Sequence, residues 1–439
     1  MRTTTSRATR RPGGSRRTAL ATLSAAALAA TLLVAGSPAQ ADRAGAAAET
    51  SERAASPRVR DRIVSGGQAY GSQIRGLDII GSGRTGYSTT CTAKVNGSAS
   101  NSVAATTPTL GDVLDLGVIE SAQQIGRNEQ GQRSSTSTTT VAGANLLGQL
   151  GLEIGAISAR ATVTKTASGY RTDFDSEVAS ISLGGVPLPL DELNNNLPGE
   201  IPLGPLGTIY FNETQSRTTR DEGFGQLTVL RIELTALDAE IKLGVASARM
   251  QSRRPAAFLG GAWSTDVAVL GILDSGRTGY QPIPCGGTQG KTLRTNDTAG
   301  IRVPGAVEIG ATDSLTRTQR LANGDIRAVA SNELAGVNLG DGALNIEAIT
   351  AKVVTIRKPS GRVVKRPSFK ILGVTAGGQA QELPLPGEKF EIPGLGYLQI
   401  GDVRRFSDGA RVTALTLVVL EGENELRVRI GTAQARVRR

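Results

Sequence analysis

The chain has 439 residues, a formal charge of +10, fourteen aromatic residues, two Cys and no His. The absence of His excludes Ser-His-Asp and Cys-His machinery, His-ligated zinc and a His general base. Two Cys are too few for a structural zinc centre or an iron–sulfur cluster, and fourteen rings are too few for a broad stacking platform.

Residues 1–41 read as an export signal. Arg2, Arg7, Arg10, Arg11, Arg16 and Arg17 precede an Ala/Leu stretch from Ala19 to Ala35. Ala39 and Ala41 then supply the small residues of a cleavage site, with Asp42 as the expected first mature residue. Ser15 to Leu20 also resembles a twin-arginine signal, so the Sec and Tat routes both stay open. The segment holds six Arg and no acid, so its removal lowers the charge to +4. At that charge nucleic acid is not an expected partner, and a weak attraction to anionic cell-wall or extracellular polymers is what remains. No later stretch is apolar enough to span a bilayer, so the mature chain is expected to have no transmembrane anchor.

Residues 42–65 are mostly Ala, Arg, Glu and Ser and predict a disordered leader. Beyond them the chain repeats itself. Leu77 to Tyr87 returns as Leu270 to Tyr280, an offset of 193, and both end in Gly-Arg-Thr-Gly-Tyr. At the same offset Tyr70 matches Trp263, and Ala142 to Leu146 matches Ala335 to Leu339. Leu152 to Arg160 then matches Leu344 to Lys352, Leu197 to Glu200 matches Leu385 to Glu388, and Leu243 to Arg249 matches Ile430 to Arg436. The matches define two homologous units, 66–258 and 259–439.

Each unit alternates like half-buried strands. Ile157, Ala159, Ala161 and Val163 alternate with polar residues. So do Leu227, Val229, Ile232 and Leu234, with a slip at Leu230, and so do Leu426, Val428 and Ile430. Gly184-Gly185, Pro198-Gly199, Asn323-Gly324 and Pro386-Gly387 mark turns. The expected fold is all-β: two tandem homologous antiparallel β domains, sandwich-like, after the signal and leader.

The Ala-Gly-x-Asn-Leu-Leu-Gly run at 142–148, the strand from Ile154 to Ala159 and the Leu-Gly-Gly-x-Pro segment at 183–187 resemble the actinobacterial choice-of-anchor P family. The resemblance spans nearly the whole mature chain and rests on glycine-spaced structural motifs. It implies a secreted or surface protein whose relatives carry varied C-terminal anchors. Gln434 to Arg439 departs from that pattern, with no sorting motif or apolar tail, which leaves the means of attachment open. The resemblance supplies no active-site residue and no cofactor.

Cys91 and Cys285 come four and five residues after the matched Tyr87 and Tyr280. One Cys per unit in an exported chain predicts a single bridge between the units, stabilising by on the order of 3–5 kcal/mol; two free buried thiols are the alternative. The paired Gly-Arg-Thr-Gly-Tyr segments have two explanations. A repeated basic-aromatic cluster suits an acidic or glycan ligand; a turn using Gly83 and Gly86, with Tyr87 covering the core edge, accounts for the same residues.

Asp112, Asp115, Glu120, Asp191, Glu192, Glu200 and Glu388 are the candidate catalytic carboxylates. Of these only Glu200 and Glu388 recur between the units, in a Leu-Pro-Gly-Glu turn that favours structure over catalysis. The expectation is a non-enzymatic structural or adhesive protein, with no metal or cofactor. The alternatives are an extracellular carboxylate-dependent polysaccharide hydrolase, which needs two facing carboxyl groups, and a carbohydrate-binding module.

Overall fold

The alternation at Ile157–Lys165 becomes a strand whose Ile157, Ala159, Ala161 and Val163 are buried. The same patterning governs the rest of a computed structural model in which the described residues form antiparallel sheets and no α-helix. It describes residues 62–75, 84–103, 114–146, 151–188, 198–235, 238–269, 273–297, 301–303, 307–340, 342–376, 378–383, 385–392, 396–421 and 424–438. The export signal with Ala39 and Ala41, the leader up to residue 61, and Gly83, Asp112, Asp191 and Glu192 lie outside these residues.

Six strands frame the junction of the repeats: β1 (Arg62–Arg75), β2 (Ser88–Thr92), β3 (Ala239–Arg254), β4 (Ala257–Val269), β5 (Leu273–Thr278) and β6 (Asn424–Arg438). The first repeat's inner sheet runs Gly199–Pro202, Gly207–Thr218, Glu222–Leu234, β3, β1, β2. The second repeats that order as Lys389–Ile392, Gly396–Phe406, Gly409–Glu421, β6, β4, β5, with Gln281–Pro282 also on β4. The facing sheets match as well. Tyr170–Val178, Ile157–Lys165, Arg133–Val141, Ile119–Arg127 and Gly97–Val103 correspond to Val363–Ala376, Leu344–Arg357, Ile326–Leu339, Thr312–Arg320 and Thr292–Asp297.

Each pair of sheets encloses its own core. In the first, Ile157, Ala161 and Val163 meet Leu227, Ile232 and Leu243; in the second, Ile349, Ala351 and Val353 meet Leu415, Leu417 and Ile430. Face-to-face burial of two alternating surfaces is the arrangement of a β-sandwich. Aliphatic residues and Ala fill both cores, with Trp263 and Phe211 among the largest fully buried side chains.

The slip at Leu230 has a structural cause on the neighbouring strand. In β3 the core-facing residues are Ile241 and Leu243, then Ala246, Ala248 and Met250. The change of parity falls at Gly244, whose φ is +63°. In β6 the core set is Val428 and Ile430, then Ala433, Ala435 and Val437, and the change falls at Gly431, φ +66°. A left-handed residue inside a strand reverses which face the next side chain takes, and Gly adopts it without steric penalty. The flanking strand shifts with it: Leu227 and Val229 give way to Leu230, Ile232 and Leu234.

Two expected boundaries move. The leader does not extend to residue 65, because β1 starts at Arg62. Val64 and Ser65 are buried there, paired with Gln251 and Met250. Residues 256–258 belong to the second repeat, because β3 ends at Arg254 before Pro255 and β4 starts at Ala257. Ala256 and Phe258 pack in the second core.

Candidate functional site at the junction of the repeats

Within the Gly-Arg-Thr-Gly-Tyr segments the chain turns at Gly86 and Gly279, and the neighbouring residues also meet one another. Gly86 and Gly279 have φ of +58° and +54°. Their turns are held alike: Thr85 pairs with Ser72 of β1, and Thr278 pairs with Thr265 of β4. Each turn delivers an arginine and a tyrosine to the junction.

Tyr87 and Tyr280 meet edge to face, with centroids 5.8 Å apart at 75°. Trp263 packs on Tyr280 in the same manner at 6.0 Å. Arg84 lies over Tyr70 at 4.9 Å, as Arg277 lies over Trp263 at 4.1 Å. The guanidiniums also cross over. Arg84 stands 5.9 Å from the Tyr280 ring and Arg277 stands 5.4 Å from the Tyr87 ring. This reciprocity, in which residue i meets j and j meets i, is the mark of a twofold interface. It relates two halves of one chain here.

Polar partners tie the cluster to the strands beneath. Arg84 Nη1 donates to Gln68 Oε1 at 2.8 Å. Tyr70 donates to Gln73, three residues on, and Trp263 Nε1 donates to Asp266 Oδ2 at 2.8 Å, again three residues on. Asp266 Oδ1 accepts from Arg429 at 2.9 Å. Burial holds the Tyr280 phenol well above its ordinary pKa, and the neighbouring Tyr87 adds to this against the pull of Arg277 and Arg84. Burial works to lower the Arg277 pKa, but Tyr280, Tyr87 and Asp266 outweigh it and raise it overall. At neutral pH Tyr280 therefore stays a neutral phenol and Arg277 a cation.

A disulfide closes the junction next to the rings. Cys91, on β2, is bonded to Cys285, with a Cα separation of 5.5 Å. Val64 and Ala257 pack beside it. Phe258 N–H donates to the Cys285 carbonyl at 2.9 Å, and Arg438 Nη1 donates to the Cys91 carbonyl at 3.2 Å. A Cβ at Gly66 would stand 2.7 Å from Cys285 Sγ, so only Gly fits opposite the bridge. Between bridge and rings lies a cavity of about 160 Å³, lined by Gln68, Phe224, Arg249 and Phe258 among others.

The candidate carboxylates are scattered. Glu388 accepts from the Leu385 N–H at 2.9 Å and so closes its own turn. Glu200 sits in the edge strand Gly199–Pro202, Glu120 on the exposed face of Ile119–Arg127, and Asp115 in the short strand Leu114–Leu116. Among the described residues no group of three or more Cys, Asp and Glu is placed to hold a metal ion. Gln68, Asp266 and Arg429 were not legible as members of the junction. The offset of 193 offered one signal, since Gln73 and Asp266 are matched acceptors three residues after matched rings.

No family model matches the chain, and no curated protein matches it. No helix among the described residues is long and apolar enough to cross a membrane.

Proposed function

We propose that this chain is a secreted, non-enzymatic structural or adhesive protein of the cell surface, allied to the choice-of-anchor P proteins. One observation carries the proposal: the basic and aromatic residues that suggested a ligand site spend their faces on each other across the junction. Arg84 and Arg277 cover the rings of Tyr70, Tyr87, Trp263 and Tyr280. Their work is to join two sandwiches into one body. The Cys91–Cys285 bridge fits an oxidising, extracellular setting. The Arg-rich segment at 1–41 supplies the route there.

The test is incubation of the purified secreted protein with isolated cell walls and with a panel of polysaccharides. The expected result is co-sedimentation with the walls and no release of reducing sugar. Sugar release that disappears on substituting a carboxylate pair would replace this proposal with the hydrolase.

A further inference from the structure

The two repeats share a fold but carry opposite charge on their outer faces. In the second repeat the solvent side of the sheet from Thr292–Asp297 to Val363–Ala376 bears Arg294, Arg317, Arg327, Lys352, Arg366 and Lys370. Against these six cations stand three acids: Asp313, paired with Arg294 at 3.3 Å, Glu333, and the exposed Glu347. Arg317, Arg327, Lys352 and Arg366 have no acidic partner among the described residues. They occupy adjacent strands about 4.8 Å apart. Arg327 Nε is buried with no hydrogen-bond partner, beside a concavity of about 200 Å³ that Arg317 and Lys352 also line.

The first repeat inverts this. The register places Gln124 where the second repeat has Arg317, Ser134 for Arg327, Asp173 for Arg366 and Glu177 for Lys370. Its outer face bears Glu120, Asp173, Asp175 and Glu177 against two cations, Arg160, paired with Asp175 at 2.7 Å, and Arg171, paired with Asp173 at 3.1 Å, which leaves two acids in excess. One fold accepts either sign at these positions, so the fold does not dictate the charge.

We infer that this protein self-associates head to tail, the basic outer face of one copy's second repeat docking on the acidic outer face of another copy's first repeat. Both surfaces descend from one sheet and have the same strand spacing and register, so Arg366 and Lys370 meet acids arrayed as they are themselves. The contact is heterologous: a docked pair keeps one face of each sign unused, and association extends to further copies unless the ring closes. Exposed ion pairs of this kind are screened by salt, with a Debye length of about 10 Å at 0.1 M.

Sedimentation velocity of the secreted protein tests this. The wild type is expected to form concentration-dependent oligomers at low ionic strength and to dissociate in about 0.5 M salt. Two variants exchange residues between the repeats: Arg366→Asp with Lys370→Glu, and Asp173→Arg with Glu177→Lys. Each alone is expected to associate at least about tenfold more weakly. Mixed in equal amounts they should associate again, because the acidic face of the first meets the basic face of the second. Far-ultraviolet circular dichroism establishes that each is folded; a variant that is not folded leaves the wild-type salt series to decide. A wild type monomeric at all salt concentrations, including one that binds an added polyanion as a monomer, overturns the inference. So does a mixture of folded variants that stays monomeric.

Discussion

Tyr87 and Tyr280 stand 193 residues apart in the chain and meet with hydroxyl oxygens 3.4 Å apart. They hold equivalent places in the two repeats. Equivalent points of two bodies related by a twofold touch only beside the axis, so the axis passes by these rings. Cys91 and Cys285 lie next to it, which is why two segments from separate sandwiches can be bonded. A head-to-tail stacking of the repeats would set them a domain length apart.

Replacing both Cys91 and Cys285 with Ser should lower stability by on the order of 3–5 kcal/mol in the chain-entropy account, since the bridge closes a loop of 194 residues. Denaturant unfolding of the oxidised protein and the double variant measures it. A difference under about 1 kcal/mol would place the stabilisation in the packing around Val64 and Ala257.

The parity-reversing glycines should resist substitution. A Cβ at Gly244 would lie 2.7 Å from Ile157 Cγ2, and one at Gly431 would lie 3.0 Å from Ile349 Cγ2, both at positive φ. Gly244→Ala and Gly431→Ala are each expected to destabilise by about 1–3 kcal/mol. Gly126→Ala, where nothing lies within 4 Å, serves as the control and should change stability by under about 0.5 kcal/mol.

Trp263 is the chain's single Trp, so its fluorescence reports on the junction alone. Arg277→Ala removes the guanidinium 4.1 Å above that ring. The expected outcome is a shifted emission maximum and a loss of about 1–2 kcal/mol. Arg84→Ala, whose side chain covers Tyr70 at 4.9 Å, should disturb the emission less.

Alkaline pH should loosen the protein through its buried phenols. Burial raises the pKa of Tyr280, and that of Tyr170, above the ordinary value of about 10. The folded state then holds protons that the unfolded state has released. The stability is complete below about pH 10 and is lost as pH rises toward the folded-state pKa. Tyr280→Phe should flatten the decline, and ultraviolet titration of the wild type should show late-ionising phenols absent from the denatured chain.

The strands were legible because alternation is local: Ile157 to Val163 declare their buried side without reference to any other segment. The duplication was legible for the same reason, since matched turns carry matched residues. The meaning of the Gly-Arg-Thr-Gly-Tyr segments was not. A guanidinium over a ring looks the same in sequence whether the ring belongs to a ligand site or to the other repeat. Only the twofold placement of Tyr87 against Tyr280 separates these. The leader boundary failed at Val64 because two apolar residues, Ile63 and Val64, carry little weight after a long Ala- and Arg-rich stretch. Val64 is buried through pairing with Gln251, nearly two hundred residues away.

The opposed outer faces were visible as residues but not as faces. Asp173 and Arg366 become equivalent only through pairing, Asp173 with Thr162 and Arg366 with Val354.

Peptide mapping of the purified protein under non-reducing conditions tests the twofold junction most directly. The expected result is one cross-linked peptide pair, containing Cys91 and Cys285, that separates on reduction. Two free thiols in protein recovered from an oxidising medium would contradict the bridge and the placement of the two repeats about it.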